Sequence, residues 1–109
     1  MKRTYIPVNN KFSSEKIFYD EIVLLEKEIN NINIITAKGN VCFRGKADDM
    51  RKYVEGRDDF FPCHSYLIVN MKQVTRVEGG NIYFANGEYR HLGRRNYLRV
   101  KAAYANYIA

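Results

Sequence analysis

Cys63 beside His64 is the pair of side chains in this sequence that could do covalent chemistry, since a thiol activated by an imidazole is a common nucleophile. Neighbouring residues of a strand point to opposite faces of a sheet, however, so these two side chains would diverge. The two histidines, His64 and His91, have none of the H-x-H, H-E-x-x-H or C-x-x-C spacings of zinc sites. We therefore predict that the protein is not an enzyme and needs no metal or cofactor.

Basic side chains near the C-terminal end suggest a different chemistry. Residues 90–101 contain five Lys and Arg residues and one His without a single acid, whereas residues 20–28 contain four carboxylates and one lysine. Cationic groups bind phosphates, and a guanidinium also forms paired hydrogen bonds with the edge of guanine. This asymmetry predicts a basic edge that binds nucleic acid. The open alternative is a solvated helix face whose cations offset the helix dipole.

Length and composition describe one soluble domain, which we place at residues 1–109. The formal net charge of +6 favours an anionic partner. A membrane partner is not expected, because the chain lacks both a run of about 18 apolar residues and a basic amphipathic helix with large apolar anchors. Residues 1–8 are too short for a secretory segment, so we expect a cytoplasmic protein. Its Cys42 and Cys63 should be reduced and mostly buried, with a redox switch as the alternative.

The elements that must position these residues are mostly strands. Apolar and aromatic runs separated by turns every several residues predict a mainly β fold. Strands are predicted at residues 5–8, 15–19, 22–28, 34–37, 41–44, 67–69, 73–78, 81–85 and 88–92. The apolar run 22–25 indicates burial on both faces of its sheet. Residues 30–33 are predicted as a polar turn, and Asn86-Gly87 as a type I′ turn.

Two helices complete the predicted fold. Residues 46–55 place Ala47, Met50 and Val54 on one stripe, with Gly56 ending a helix that we interpret as packing support. Residues 94–108 have aromatic and aliphatic side chains at near-helical spacing. This second helix would begin with Arg94 and Arg95 at a strand-to-helix junction, where their guanidinium groups project from a rigid frame.

The stretch F-F-P-C-H-S-Y-L-I-V-N at residues 60–70 resembles the central motif of the LytTR family of DNA-binding domains, typically written F-x-R-x-H-R-S-Y-L-V-N. Residues 20–26 (D-E-I-V-L-L-E) look like the family's opening strand, D-E-I-x-Y-I-E. Residues 92–97 (L-G-R-R-N-Y) are similar to its V-S-R-R-Y ending. Each of these matches is weak evidence for the resemblance on its own. Together, in this order and at these spacings over roughly residues 17–101, they are strong evidence for it.

The resemblance implies an elongated fold of three small antiparallel sheets with one or two short helices. It also implies sequence-specific binding of double-stranded DNA in bacterial transcription regulation. The family inserts loops, not a recognition helix, into successive major grooves, usually at paired repeats. The positions that correspond to its base-reading places are Asn31 and Asn33 in the loop around 30–33, Ser65, and Arg95. Phosphate contacts would come from Arg94, Arg99, Lys72 and Lys101, which position the protein without reading sequence.

His64 and Asn70 are interpreted as side chains that brace the loop, with direct base contact as the alternative for His64. An ungapped match puts Ser65 where the family usually has Arg, and a slip of one residue aligns His64-Ser65 with its R-S pair. Pro62 replaces another frequent Arg, and Gly93 replaces a usual Ser. These departures support an alternative function, a protein-interaction module of the same fold with reduced or lost DNA readout.

Most members of the family carry a receiver domain with a phosphorylatable Asp before the DNA-binding domain, and 109 residues leave no room for one. The sequence is therefore expected to be an isolated output module, a fragment of a response regulator, or a free-standing regulator. The partners implied by the resemblance are promoter direct repeats, a second copy of the chain on DNA, and a receiver domain if the chain is a fragment.

Overall fold

A computed structural model describes residues 3–109 of the chain as ten strands and two helices. Residues 1 and 2, which belong to the stretch interpreted as too short for a secretory segment, lie outside the described residues. The strands are β1 (Tyr5–Asn9), β2 (Ser14–Phe18), β3 (Ile22–Glu28), β4 (Asn31–Thr36), β5 (Gly39–Arg44), β6 (Phe60–His64), β7 (Leu67–Asn70), β8 (Val74–Glu78), β9 (Asn81–Phe84) and β10 (Tyr89–His91). The helices are α1 (Ala47–Tyr53) and α2 (Arg94–Ile108).

The strands form three antiparallel sheets. The largest has five strands in the order β5-β4-β3-β7-β6, while β1 and β2 form a hairpin and β10-β9-β8 form a meander. This arrangement confirms the predicted mainly β fold of three small antiparallel sheets with two helices.

The five-stranded sheet is covered on both faces. Against one face pack the β1–β2 hairpin and α1, through a cluster that includes Ile6, Ile17, Leu25 and Met50. Against the other face pack the three-stranded sheet and α2, through the cluster Val23, Leu24, Ile35, Cys63, Leu67, Val69, Met71, Val74, Ile82, Phe84, Leu92 and Val100. The four residues 22–25 are 0% exposed and divide between the two clusters. The prediction of burial on both faces of this run is therefore confirmed.

The helices follow the predicted periodicity, with two differences at their ends. Helix α2 covers the predicted residues and buries Val100, but Ile108 is 63% exposed and is not part of its buried face. Helix α1 ends at Tyr53, short of the predicted residue 55, because Val54 leaves the helical region at φ −111° and ψ 9°. Gly56 then takes a left-handed φ of +74°, which glycine adopts without steric cost.

Two predicted turns are wrong in detail. Asn31 begins β4, so the turn before it consists of Ile29 and Asn30 alone. Polar and apolar residues alternate at 31–34, which is the pattern of a half-buried strand. The turn was predicted instead because three of the residues at 30–33 are asparagines, which are common in turns. A type I′ turn requires a positive φ at Asn86, and Asn86 has none. The positive φ, +92°, is instead at Gly87, whose N–H donates to Phe84 O at 3.0 Å. Residues 85–87 thus form a three-residue loop, closed by the Phe84 N–H, which donates to Glu88 O at 2.9 Å.

The cysteines differ from each other. Cys63 is buried as predicted, but Cys42 is exposed, which contradicts the expected burial. Cys42 lies on the edge strand β5 opposite Asn33.

Candidate nucleic-acid interface

Two turns lie at the same end of the five-stranded sheet. The β3–β4 turn contains Ile29 and Asn30, and the β6–β7 turn contains Ser65 and Tyr66. Strands β3 and β7 are neighbours, and the backbone N–H of Lys27 donates to Tyr66 O at 2.9 Å. That hydrogen bond fixes one turn beside the other.

Helix α2 runs antiparallel to β6. Near its C-terminal end, Tyr107 Oη donates to Asp59 Oδ1 at 2.8 Å, just before β6 begins. Nearer its start, Arg99 Nη2 donates to Cys63 O at 2.7 Å, close to the end of β6. The N-terminal turn of the helix is therefore directed toward the β6–β7 turn.

Arg95 precedes Arg99 by one helical turn, which is about 6 Å along the axis, and lies on nearly the same side of the helix. Ser65 lies two residues beyond Cys63, which corresponds to a similar distance of about 6–7 Å along the direction of β6. Arg95 therefore approaches the β6–β7 turn. We call this end of the molecule the turn edge: it consists of Ile29, Asn30, Ser65, Tyr66, Arg94 and Arg95.

Ile29 has the least favourable backbone conformation at the turn edge. Its φ is +38°, the one positive φ outside glycine in residues 3–109, and its side chain is 92% exposed. A β-branched residue is strained in this region, and an exposed apolar side chain gains nothing from burial. Sequence reasoning did not single out Ile29. The signal that could have drawn attention to it is the presence of an apolar residue between two polar ones, Glu28 and Asn30, at the end of a predicted strand.

Asn31 and Asn33 lie next to the turn edge, within β4 and not in a loop. Asn31 pairs with Glu28 and Arg44, and Asn33 pairs with Glu26 and Cys42. Directly opposed residues of antiparallel strands share a face, so both amides lie on the same face among polar side chains. Both are at least partly accessible.

The β6–β7 turn is held by backbone and side-chain contacts. The pairing register shifts between Pro62 and His64, which makes Cys63 the extra residue of a β-bulge. The backbone N–H of Tyr66 donates to His64 Nδ1 at 3.2 Å. Ser65 remains exposed at the tip of the turn.

Asn70 is at the other end of β7 and is the one buried polar residue within residues 3–109, with 1% exposure. Its Nδ2 donates to Ile22 O at 2.8 Å, and its Oδ1 accepts from the Lys72 N–H at 3.1 Å. These bonds join the end of β7 to the start of β3, so Asn70 supports the sheet and does not contact the turn edge.

Several cations are accessible on α2 and beside the β3–β4 turn. Arg94, Arg95 and Lys101 are exposed, and none of them forms an ion pair with another described residue. Lys27, Arg44 and Lys46 line a shallow groove beside the β3–β4 turn. Sequence reasoning missed these three residues, although each lies within two residues of the end of a strand.

Arg90 belongs to the basic run but is neutralised by acids. Its Nε and Nη2 bind the Glu26 carboxylate at 2.8 and 3.1 Å, and its Nη1 binds Glu88 at 2.7 Å. The hydrogen bond to Glu26 raises the pKa of Arg90 above its ordinary value. Glu26 lies on the five-stranded sheet, so this pair anchors β10 to β3 and leaves Arg90 less able to bind a phosphate.

Lys72 lies away from the other predicted phosphate contacts. It follows Asn70 at the end of the sheet opposite the turn edge, and its Nζ is 3.6 Å from Asp20 and 3.5 Å from Asp59. The start of α2, with Arg94 and Arg95, is directed toward the β6–β7 turn that contains Ser65, whereas Lys72 lies at the opposite end of the sheet.

Comparison with known proteins shows the family to which this chain belongs. The family model described as the LytTr DNA-binding domain matches residues 13–105. The chain belongs to the LytTR family. A solved LytTr DNA-binding domain from Bacillus cereus, described as part of a methyl-accepting/DNA response regulator, is similar in fold, with a TM-score of 0.75 and 12% identity. The match covers 94% of this chain and 97% of that one. No curated protein matches the sequence.

The Cys63 thiol of this LytTR domain is not activated as a nucleophile. Burial raises the pKa of the Cys63 thiol to about 12, although the nearby Arg99 opposes the shift. A thiol with that pKa stays protonated at neutral pH and is a poor nucleophile. Within residues 3–109, no three His, Cys, Asp or Glu side chains are grouped so that they could hold a metal ion. None of the described helices is long and apolar enough to cross a membrane.

Proposed function

We propose that this LytTR domain binds a specific double-stranded DNA sequence through its turn edge and regulates transcription in bacteria. The observation that carries the proposal is the position of three separate elements at one end of the sheet: the β3–β4 turn, the β6–β7 turn and the first turn of α2. Because bacterial DNA lies in the cytoplasm, the domain would act there.

The turns and the start of α2 would enter successive major grooves. The longest dimension of the domain is 41 Å, compared with about 34 Å for one helical turn of DNA. With its long axis along the duplex, one copy would span about one helical turn of DNA, and a second copy would occupy the other half of a paired repeat. In a longer protein, a receiver domain would control access to these sites.

Base contacts are proposed for Arg95, Ser65, Asn31 and Asn33. A guanidinium can bond two acceptors of guanine, and an Asn amide can pair with adenine in the same way. Ser65 is shorter than the Arg usual at its position, so it would make a single hydrogen bond. Arg94 and Lys101 are proposed to contact phosphates, which favours binding to any sequence.

The Arg95→Ala variant tests base reading. Loss of a paired contact to a base should cost about 1–3 kcal/mol at the preferred site and relax specificity at one position. The site is first selected from random duplexes with the wild-type domain, and both proteins are then measured by mobility shift. Lys38→Ala is the control, since it removes a cation from the β4–β5 turn at the opposite end of the sheet. Equal affinity of the Arg95→Ala and wild-type proteins for the selected site would exclude Arg95 as a base contact.

The Arg94→Ala variant tests phosphate binding. Its affinity should fall similarly for selected and random duplexes, and the slope of log affinity against log salt should decrease by about 0.9. An unchanged slope would argue against a phosphate contact. If selection with the wild-type domain enriches no motif, the protein-interaction module suggested by Ser65 and Pro62 becomes the better interpretation.

A further inference from the structure

Arg99 connects α2 to three consecutive residues of β6. Its Nη2 donates to Pro62 O at 2.8 Å and to Cys63 O at 2.7 Å. The guanidinium carbon lies 4.9 Å from the centre of the Phe61 ring, so the cation also stacks on an aromatic face. These contacts orient the side chain along the protein surface and engage both Nη2 and the face of the guanidinium.

The backbone that Arg99 binds is the bulge that leads into the β6–β7 turn. Cys63 is the extra residue of that bulge, and bulges redirect the strand that follows them. A bulged residue interrupts the regular ladder, and its carbonyl needs another donor. Arg99 supplies this donor, and its position on α2 is one helical turn after Arg95.

We propose that Arg99 is a positioning residue for sequence recognition: it holds the β6–β7 turn, with Ser65, at a fixed place relative to Arg95. This inference rests on the proposed DNA-binding function. It replaces the phosphate contact that the sequence resemblance implied for Arg99. Reading two neighbouring base pairs requires both side chains to be held to a fraction of an ångström, and Arg99 joins the two elements that carry them.

The two roles predict different results for Arg99→Lys. Lysine keeps the positive charge, so a phosphate contact predicts nearly wild-type binding to every duplex. A positioning role predicts that the ratio of specific to non-specific affinity falls about three- to tenfold, because lysine has neither the planar fork nor the stacking on Phe61. Non-specific affinity should stay within twofold of the wild type.

The Arg99→Ala variant supplies the complementary test. Its specificity ratio should fall about tenfold or more, while the salt slope on random duplex stays equal to that of the wild type. In the DNA-free protein, the Tyr66 amide should exchange its hydrogen faster, because the turn loses its support from α2. A phosphate contact would leave this exchange rate unchanged.

The experiment uses the wild-type, Arg99→Lys, Arg99→Ala and Lys38→Ala proteins, with affinities measured on the selected site and on a random duplex over a range of salt concentrations. Unchanged specificity in both Arg99 variants overturns the inference, as does a salt slope reduced by about one in Arg99→Ala. Absence of specific binding by the wild-type domain overturns the proposed function itself, so the two failures are distinguishable. Arg99→Lys retains a long cationic side chain and keeps the test valid if Arg99→Ala does not fold.

Discussion

Replacement of Asn70 by Leu should destabilise the domain strongly without changing any residue of the turn edge. Asn70 is 1% exposed and bonds Ile22 O at 2.8 Å and the Lys72 N–H at 3.1 Å. Leucine has a similar volume but neither donates nor accepts a hydrogen bond. The variant therefore leaves a carbonyl and an amide unpaired at the junction of β3 and β7.

The cost follows from the burial of these two groups. An unpaired buried polar group costs about 1–3 kcal/mol, and the Lys72 amide, which lies nearer the surface, should contribute the smaller share. We expect a loss of about 2–4 kcal/mol, a large part of the roughly 5–15 kcal/mol that stabilises a typical domain. Asn70→Asp should cost more at pH 7, because a carboxylate faces the Ile22 carbonyl with no proton to donate. Part of that loss should be recovered at acidic pH, where the protonated acid again donates.

Urea unfolding followed by circular dichroism measures these changes. Asn106→Leu is the matched control, since Asn106 is exposed on α2 and its replacement should change stability by less than about 0.5 kcal/mol. If Asn70→Leu were as stable as the control, the two hydrogen bonds would contribute nothing and the argument from burial would be wrong.

The remaining predictions concern the turn edge and the thiols. Ile29→Gly should raise the free energy of unfolding by about 0.5–1 kcal/mol in urea, because relief of roughly 1–2 kcal/mol of left-handed strain exceeds the added chain entropy of glycine. Ile29→Ala, which keeps a Cβ, is its control and should show a smaller gain; equal gains would mean that the strain does not arise from the Cβ. A thiol reagent at pH 8 should modify Cys42 rapidly and Cys63 only after unfolding, since Cys63 is buried with a pKa of about 12. Equal rates for the two cysteines in the folded protein would contradict the burial of Cys63.

The sequence contained enough local information for the overall architecture. The apolar run at 22–25 predicted the central strand, because a strand covered on both faces has apolar side chains at consecutive positions. The spacing of Tyr97, Val100 and Tyr104 located α2, and the order of short motifs indicated the family. The prediction of a polar turn at 30–33 was wrong because turn propensity was given more weight than the period-two pattern of 31–34.

The contacts that define the candidate interface could not be predicted in this way. Arg90 was counted in the basic run, but its partner Glu26 is 64 positions away in the chain and meets it only after the sheets pack. The bonds from Arg99 to the β6 backbone likewise depend on how α2 crosses the sheet. No pattern of neighbouring residues encodes such pairings, so the sequence located the cations without showing which of them are engaged.

The contacts of Arg99 also affect how the molecule can associate with other chains. Strand β6 is one edge of the five-stranded sheet, where Pro62 lacks an N–H and Arg99 occupies the carbonyls of Pro62 and Cys63. A foreign strand therefore finds few free partners along β6. Strand β5, at the other edge, pairs only with β4 among the described strands and contains no proline. Within the five-stranded sheet, intermolecular strand pairing should consequently begin at β5, and mutations that disturb Arg99 would open the second edge of this sheet to aggregation.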